Sequence, residues 1–129
     1  NAEEGFLSVL MKNPDFISRV SANVEPSEFI TDFNRKVYVE LVTRNHQGKP
    51  FDITLMGDVF TGEELGEIVR IQTAGASRAN TLEECALCLQ IMREERLKNT
   101  VRSSTGDSDQ EYIEKMRQLA KNKKKEVTE

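Results

Sequence analysis

A helix start at Thr81 sets the terms for the whole chain. Thr81 and Glu84 have capping-box spacing, in which each side chain satisfies the other's backbone N–H. No Pro or Gly follows until Gly106, so the spacing predicts one uninterrupted helix over residues 82–103, about 33 Å long at about 1.5 Å per residue. That helix changes character midway. Eight of the eleven residues 82–92 are apolar, which implies burial on nearly all sides. From 93 to 104 only Leu97 and Val101 are apolar, so this half is expected to leave the core as an exposed arm.

Shorter helices precede it. Residues 6, 7, 10 and 11 are apolar and form one wide amphipathic face. Asn13-Pro14 restarts the chain as a cap and first helical residue, opening a helix that presents Phe16, Ile17 and Val20. A helical turn is expected at 26–29. Thr31 or Asp32 can cap a longer helix carrying Phe33, Val37, Tyr38, Leu41 and Val42, which Gly48 ends in a left-handed conformation. Two further helices are expected, over 53–60 and after the capping box Thr61/Glu64. Beyond Gly106, Asp107 to Asp109 can cap a last helix with the stripe Tyr112, Ile113, Met116, Leu119 and Ala120. No segment alternates with period two for long enough to make a strand. The fold class is therefore all-α: a bundle of about six helices over 1–95, followed by a C-terminal helical hairpin over 96–129 on the long connecting helix.

With 129 residues the chain cannot hold two full cores. Residues 1–92 carry eight Lys and Arg against fourteen Asp and Glu, whereas 93–129 carry ten against eight. A bundle this acidic does not trap nucleic acid. The lysines at 121, 123, 124 and 125 have no interleaved aromatic for stacking on bases, so direct nucleic-acid contact is not expected. No apolar run approaches the ~18 residues of a membrane span, and the first residues do not resemble a signal peptide. A cytoplasmic protein is the expectation.

The residue types that carry chemistry do not assemble. His46, the only histidine, falls at a helix C-terminus, where its polar ring serves the last carbonyls. Cys85 and Cys88 match C-x-x-C but lack the second ligand pair of a zinc site, and in an apolar helix they read as core residues that are not bridged. The loop at 75–78 lacks a phosphate-binding signature and reads as a plain connection with Arg78 solvated. Glu63, Glu64, Glu83 and Glu84 lie in first turns, where capping explains them. No catalytic residue, metal site or cofactor is expected within this chain. The hairpin stripe either folds back as core or meets a partner, as an apolar helix face containing Tyr and Met does in helix-in-groove binding.

Residues 2–16 (AEEGFLSVLMKNPDF), Phe29 with Arg35-Lys36-Val37-Tyr38, Gly48-Lys49-Pro50 and the terminal hairpin together resemble the C-terminal helicase-binding domain of bacterial DNA primase. That resemblance implies a non-catalytic module that docks primase on the N-terminal domains of the hexameric replicative helicase. It also implies a parent chain with zinc-binding and magnesium-dependent polymerase domains upstream. Carried over by position, Tyr112, Ile113, Met116, Leu119 and Ala120 would make the apolar contact, with Arg117, Lys121 and Lys124 as charged rim. The expected state is a monomer, with the hairpin an element that two copies can exchange. The same bundle also resembles the N-terminal scaffold domain of the replicative helicase itself, and a nucleic-acid-binding accessory domain is the third reading.

Overall fold

The computed structural model describes residues 1–105, with side chains through Thr100. Within that span lie five α-helices, two short 3₁₀ turns and no strand, an all-α fold. Asn1–Arg93 form one compact unit.

Helix α1 (Ala2–Lys12) is the axis around which that unit is built. It packs against α2 (Pro14–Ser21), α3 (Asp32–His46) and α4 (Gly62–Ala74). Enclosure on so many sides buries Gly5, Phe6, Leu7, Ser8, Val9 and Leu10, nearly the whole girth rather than the single wide face its apolar residues imply. Gly5 and Ser8 make this possible, because Gly5 leaves room for the Arg78 side chain and the small Ser8 lets Gly75 approach. Phe6, Phe29 and Tyr38 form the aromatic centre, with ring centroids 4.9 to 6.2 Å apart, and the Tyr38 hydroxyl donates to Val24 O at 2.8 Å.

The first turn of α1 also finishes another helix. Thr31 stands at the start of α3, but its side chain makes no capping hydrogen bond. The buried Glu3 carboxylate does the work, accepting from Ile30 N–H at 2.6 Å, Thr31 N–H at 3.4 Å and Asn34 Nδ2 at 2.9 Å. Negative charge at a helix N-terminus is favoured by the dipole, and here it also satisfies amides that would otherwise be orphaned. At the other end of α3, Gly48 adopts φ +69° and Lys49 N–H returns to Arg44 O at 2.8 Å, the glycine-dependent stop expected there.

The expected helix over 53–60 is only a 3₁₀ turn, Ile53–Leu55. Asp52 accepts from Thr54 N–H at 2.9 Å and from its hydroxyl at 2.7 Å; these bonds, the hydroxyl's first, hold its carboxyl below the usual range. The Thr61/Glu64 capping box of α4 forms in both directions, at 2.9 and 3.1 Å.

Helix α5 (Leu82–Thr105) is the predicted long helix. Its first half departs from expectation. Cys85, Cys88 and Met92 are buried, but Leu87 is 52% and Ile91 38% exposed. Burial on nearly all sides is therefore corrected to burial along one stripe at i, i+3 and i+7. The helix packs against the bundle on one face, and a count of apolar residues takes no account of their angle around the axis. Leu97, on the half expected to be an exposed arm, is 43% exposed.

The loop between α4 and α5 is no plain connection. Lys12 Nζ donates to Gly75 O, Asn13 Nδ2 to Asn80 Oδ1 at 3.3 Å, and Gly75 lies so close to Ser8 that a Cβ would collide with its side chain. Arg78, expected to be solvated, lies over Gly5, where an added Cβ would stand 2.6 Å from Arg78 Cζ. Its Nη1 donates to Glu84 Oε1 at 2.9 Å. Glu84 N–H still reaches Thr81 Oγ1 at 3.1 Å, so the predicted α5 cap forms while its carboxylate is turned to the arginine. Among the described residues no helix is long and apolar enough to cross a membrane.

Candidate interaction surface

The chemistry-bearing side chains can be judged first by their surroundings. Cys85 and Cys88 are free and buried. Burial pushes the Cys85 thiol up to about 11, with Cys88 and Glu84 adding to it. Cys88 is raised chiefly by burial, against the opposing pull of Arg78. Both are held as thiols at neutral pH. His46 is the last residue of α3 and exposed. Glu63 and Glu64 occupy the first turn of α4, and Glu83 and Glu84 that of α5. Among the described residues no group of three or more His, Cys, Asp or Glu is placed to hold a metal ion.

What the bundle offers instead is surface. Leu87 and Ile91 stand one turn apart on the side of α5 away from Cys85, Cys88 and Met92. Two large aliphatic side chains at this spacing form the kind of ridge that a second helix covers. Arg93 fixes the end of this segment: its Nε donates to Glu28 Oε1 at 2.6 Å and its Nη2 to Asn23 O at 2.9 Å. The bond gives the buried Glu28 carboxylate a cationic partner, without which its burial would be costly. The sequence reading missed Leu87 and Ile91 as surface because it counted them as core. A helical wheel on residues 82–92 finds them, since both fall far from the direction shared by 85, 88 and 92.

The residues expected to bind a partner, Tyr112, Ile113, Met116, Arg117, Leu119, Ala120, Lys121 and Lys124, lie outside the described residues, as does the expected hairpin beyond residue 105.

Comparison with protein-family profiles matches residues 1–87 to the DnaB-like helicase N terminal domain. No curated protein and no solved structure matches the chain. The match spans α1 to α4 and the bundle-facing start of α5. It overturns the primase resemblance, and with it the helicase-binding module of a primase, the primosomal role and docking on a helicase as an external partner, and it leaves the primer-synthesising parent without support. The residues that carried the resemblance are diffuse apolar patterns. They fix the bundle and leave its parent undetermined. The expectation of upstream zinc and magnesium domains rested on that resemblance alone. The matched domain is non-catalytic.

Proposed function

Because the chain belongs to the family of DnaB-like helicase N-terminal domains, we propose that it is the scaffold domain of a replicative DNA helicase, working by pairing with copies of itself within the helicase ring. The family match over residues 1–87 carries this reading. The exposed Leu87–Ile91 ridge supports it, as two large aliphatic side chains one turn apart that self-association would cover. Unwinding in such a helicase rests on an ATPase core outside the matched domain, and this domain contributes assembly. The setting is the bacterial cytoplasm, which keeps the two buried thiols reduced.

Sedimentation equilibrium of the 129-residue chain tests the proposal. Concentration-dependent dimers or larger species in the micromolar range are expected, with Leu87→Glu/Ile91→Glu shifting the chain to monomer while its melting temperature matches the parent's at concentrations where both are monomeric. A chain that stays monomeric at every concentration would sink the scaffold reading.

A further inference from the structure

Of the eight Lys and Arg side chains in residues 1–92, six are engaged. Arg35 pairs with Asp32, Lys36 with Glu64, Arg44 with Glu40, Arg70 with Glu4 and Glu67, and Arg78 with Glu84; Lys12 donates to Gly75 O. The other two, Arg19 and Lys49, are exposed, and within the described residues neither side chain has a hydrogen bond or ion pair. Both line grooves, and the two grooves flank the same helix.

One groove, about 180 Å³, lies between α2 and the end of α3, with Met11, Ile17, Leu41 and Phe51 as apolar lining and Arg44 and Lys49 as its cations. Its wall is held in place, since Arg44 Nη1 donates to Pro50 O at 3.2 Å and the left-handed Gly48 sets the path into it. The other, about 140 Å³, lies between α2 and α5, lined by Val20, Val24, Leu82 and Leu89 with Arg19 as its cation. No Asp or Glu lines either groove. That is unusual in a segment with fourteen acidic residues against eight basic. Each groove has room for one large apolar side chain, and each presents one cation, Lys49 in the first and Arg19 in the second, that forms no ion pair among the described residues.

We infer that the two grooves flanking α2 form a docking surface for an acidic amphipathic helix of a partner protein, which seats apolar side chains in the grooves and sets carboxylates against Arg19 and Lys49. The apolar anchors supply affinity, and the carboxylates supply selection and on-rate, because a basic peptide meets like charge at both grooves. This surface is distinct from the Leu87–Ile91 ridge, and the inference does not rest on the scaffold reading.

The test uses the 129-residue chain and two synthetic amphipathic helices, one of Leu and Glu and one with Lys at every Glu position. Binding is read by fluorescence anisotropy and by methyl NMR. The acidic peptide is expected to bind at least about tenfold tighter than the basic one and to shift the methyl signals of Met11, Val20, Leu41 and Leu89. Arg19→Glu/Lys49→Glu, two exposed sites whose exchange leaves the melting curve in place, is expected to remove that preference. Equal binding of the two peptides, no binding of either, or shifts confined to Leu87 and Ile91 would each overturn the inference. So would a double variant whose only change is in self-association, since the surface would then belong to a second copy of this chain.

Discussion

Helices α1 and α5 invert each other. By composition α1 is the modest one, with Glu, Gly and Ser interrupting its apolar residues, and residues 82–92 of α5 are the greasy ones. In the fold α1 is buried nearly all round and α5 only along one stripe. The difference lies in what surrounds them. Helix α1 has α2, α3, α4 and the 75–80 loop against it, so even its glycine and serine are interior. Helix α5 meets the bundle on one side, so its surplus of apolar residues becomes surface. Burial follows the number of neighbours an element has, and amphipathic pattern reports only how many faces it can afford to lose.

The contrast can be broken most severely at its centre. Phe6→Ala, in a position with no exposed surface, is expected to cost about 3–5 kcal/mol in chemical denaturation, since it leaves a cavity amid the aromatic cluster. Within α5 a matched pair is more discriminating. Met92→Ala is expected to cost about 2–4 kcal/mol and Leu87→Ala less than about 0.5 kcal/mol, although both remove a large apolar side chain from the same helix. Equal losses at the two positions would show that Leu87 is core.

The hydroxyl of Tyr38 sharpens the account of the α1-centred core. Burial, with help from Glu28 and Glu25, pushes it up to about 12 from an ordinary 10.0. A group whose pKa is raised by folding contributes stability that is whole below the unfolded value and lost as pH rises through the folded one. Stability should therefore fall between about pH 10 and pH 12, with Cys85 adding a decline that begins near pH 9. Tyr38→Phe should flatten the upper part of that decline in melts recorded across the range. An unchanged slope would place the alkaline transition elsewhere. The smallest effect is expected at Gly5, where Gly5→Ala gains about 0.5–1 kcal/mol of helix propensity but pushes Arg78 off its seat. The net change in melting should be slight, and the Arg78–Glu84 contact should be lost in the variant's spectrum of exchange-protected guanidinium protons.

Much of the bundle was legible because its boundaries rest on local chemistry. Asn13-Pro14, Thr61 with Glu64, Thr81, and Gly48 before Lys49-Pro50 mark helix ends that the structure bears out. The interior was less legible, since what buries Ser8 or caps α3 lies tens of residues away: no local pattern tells that Glu3 will serve Ile30 and Thr31. Arg78 was misread for the same reason, as its partners Gly5 and Glu84 meet it only once the loop is laid on α1. The candidate site was hardest. Leu87 and Ile91 were visible as residues but misassigned as core, and the stripe at 112–120 lies outside the described residues. The parent of the bundle is told by the family match over residues 1–87 and not by periodicity.

The tie from Glu3 to the head of α3 has a consequence for how the bundle is joined. It joins positions 27, 28 and 31 residues apart, a loop whose closure costs little chain entropy. Glu3 thus ties the first turn of α1 to the first turn of α3 independently of α4 and α5. Helix α5 closes the same core from outside that tie, with Leu87 and Ile91 left facing outward.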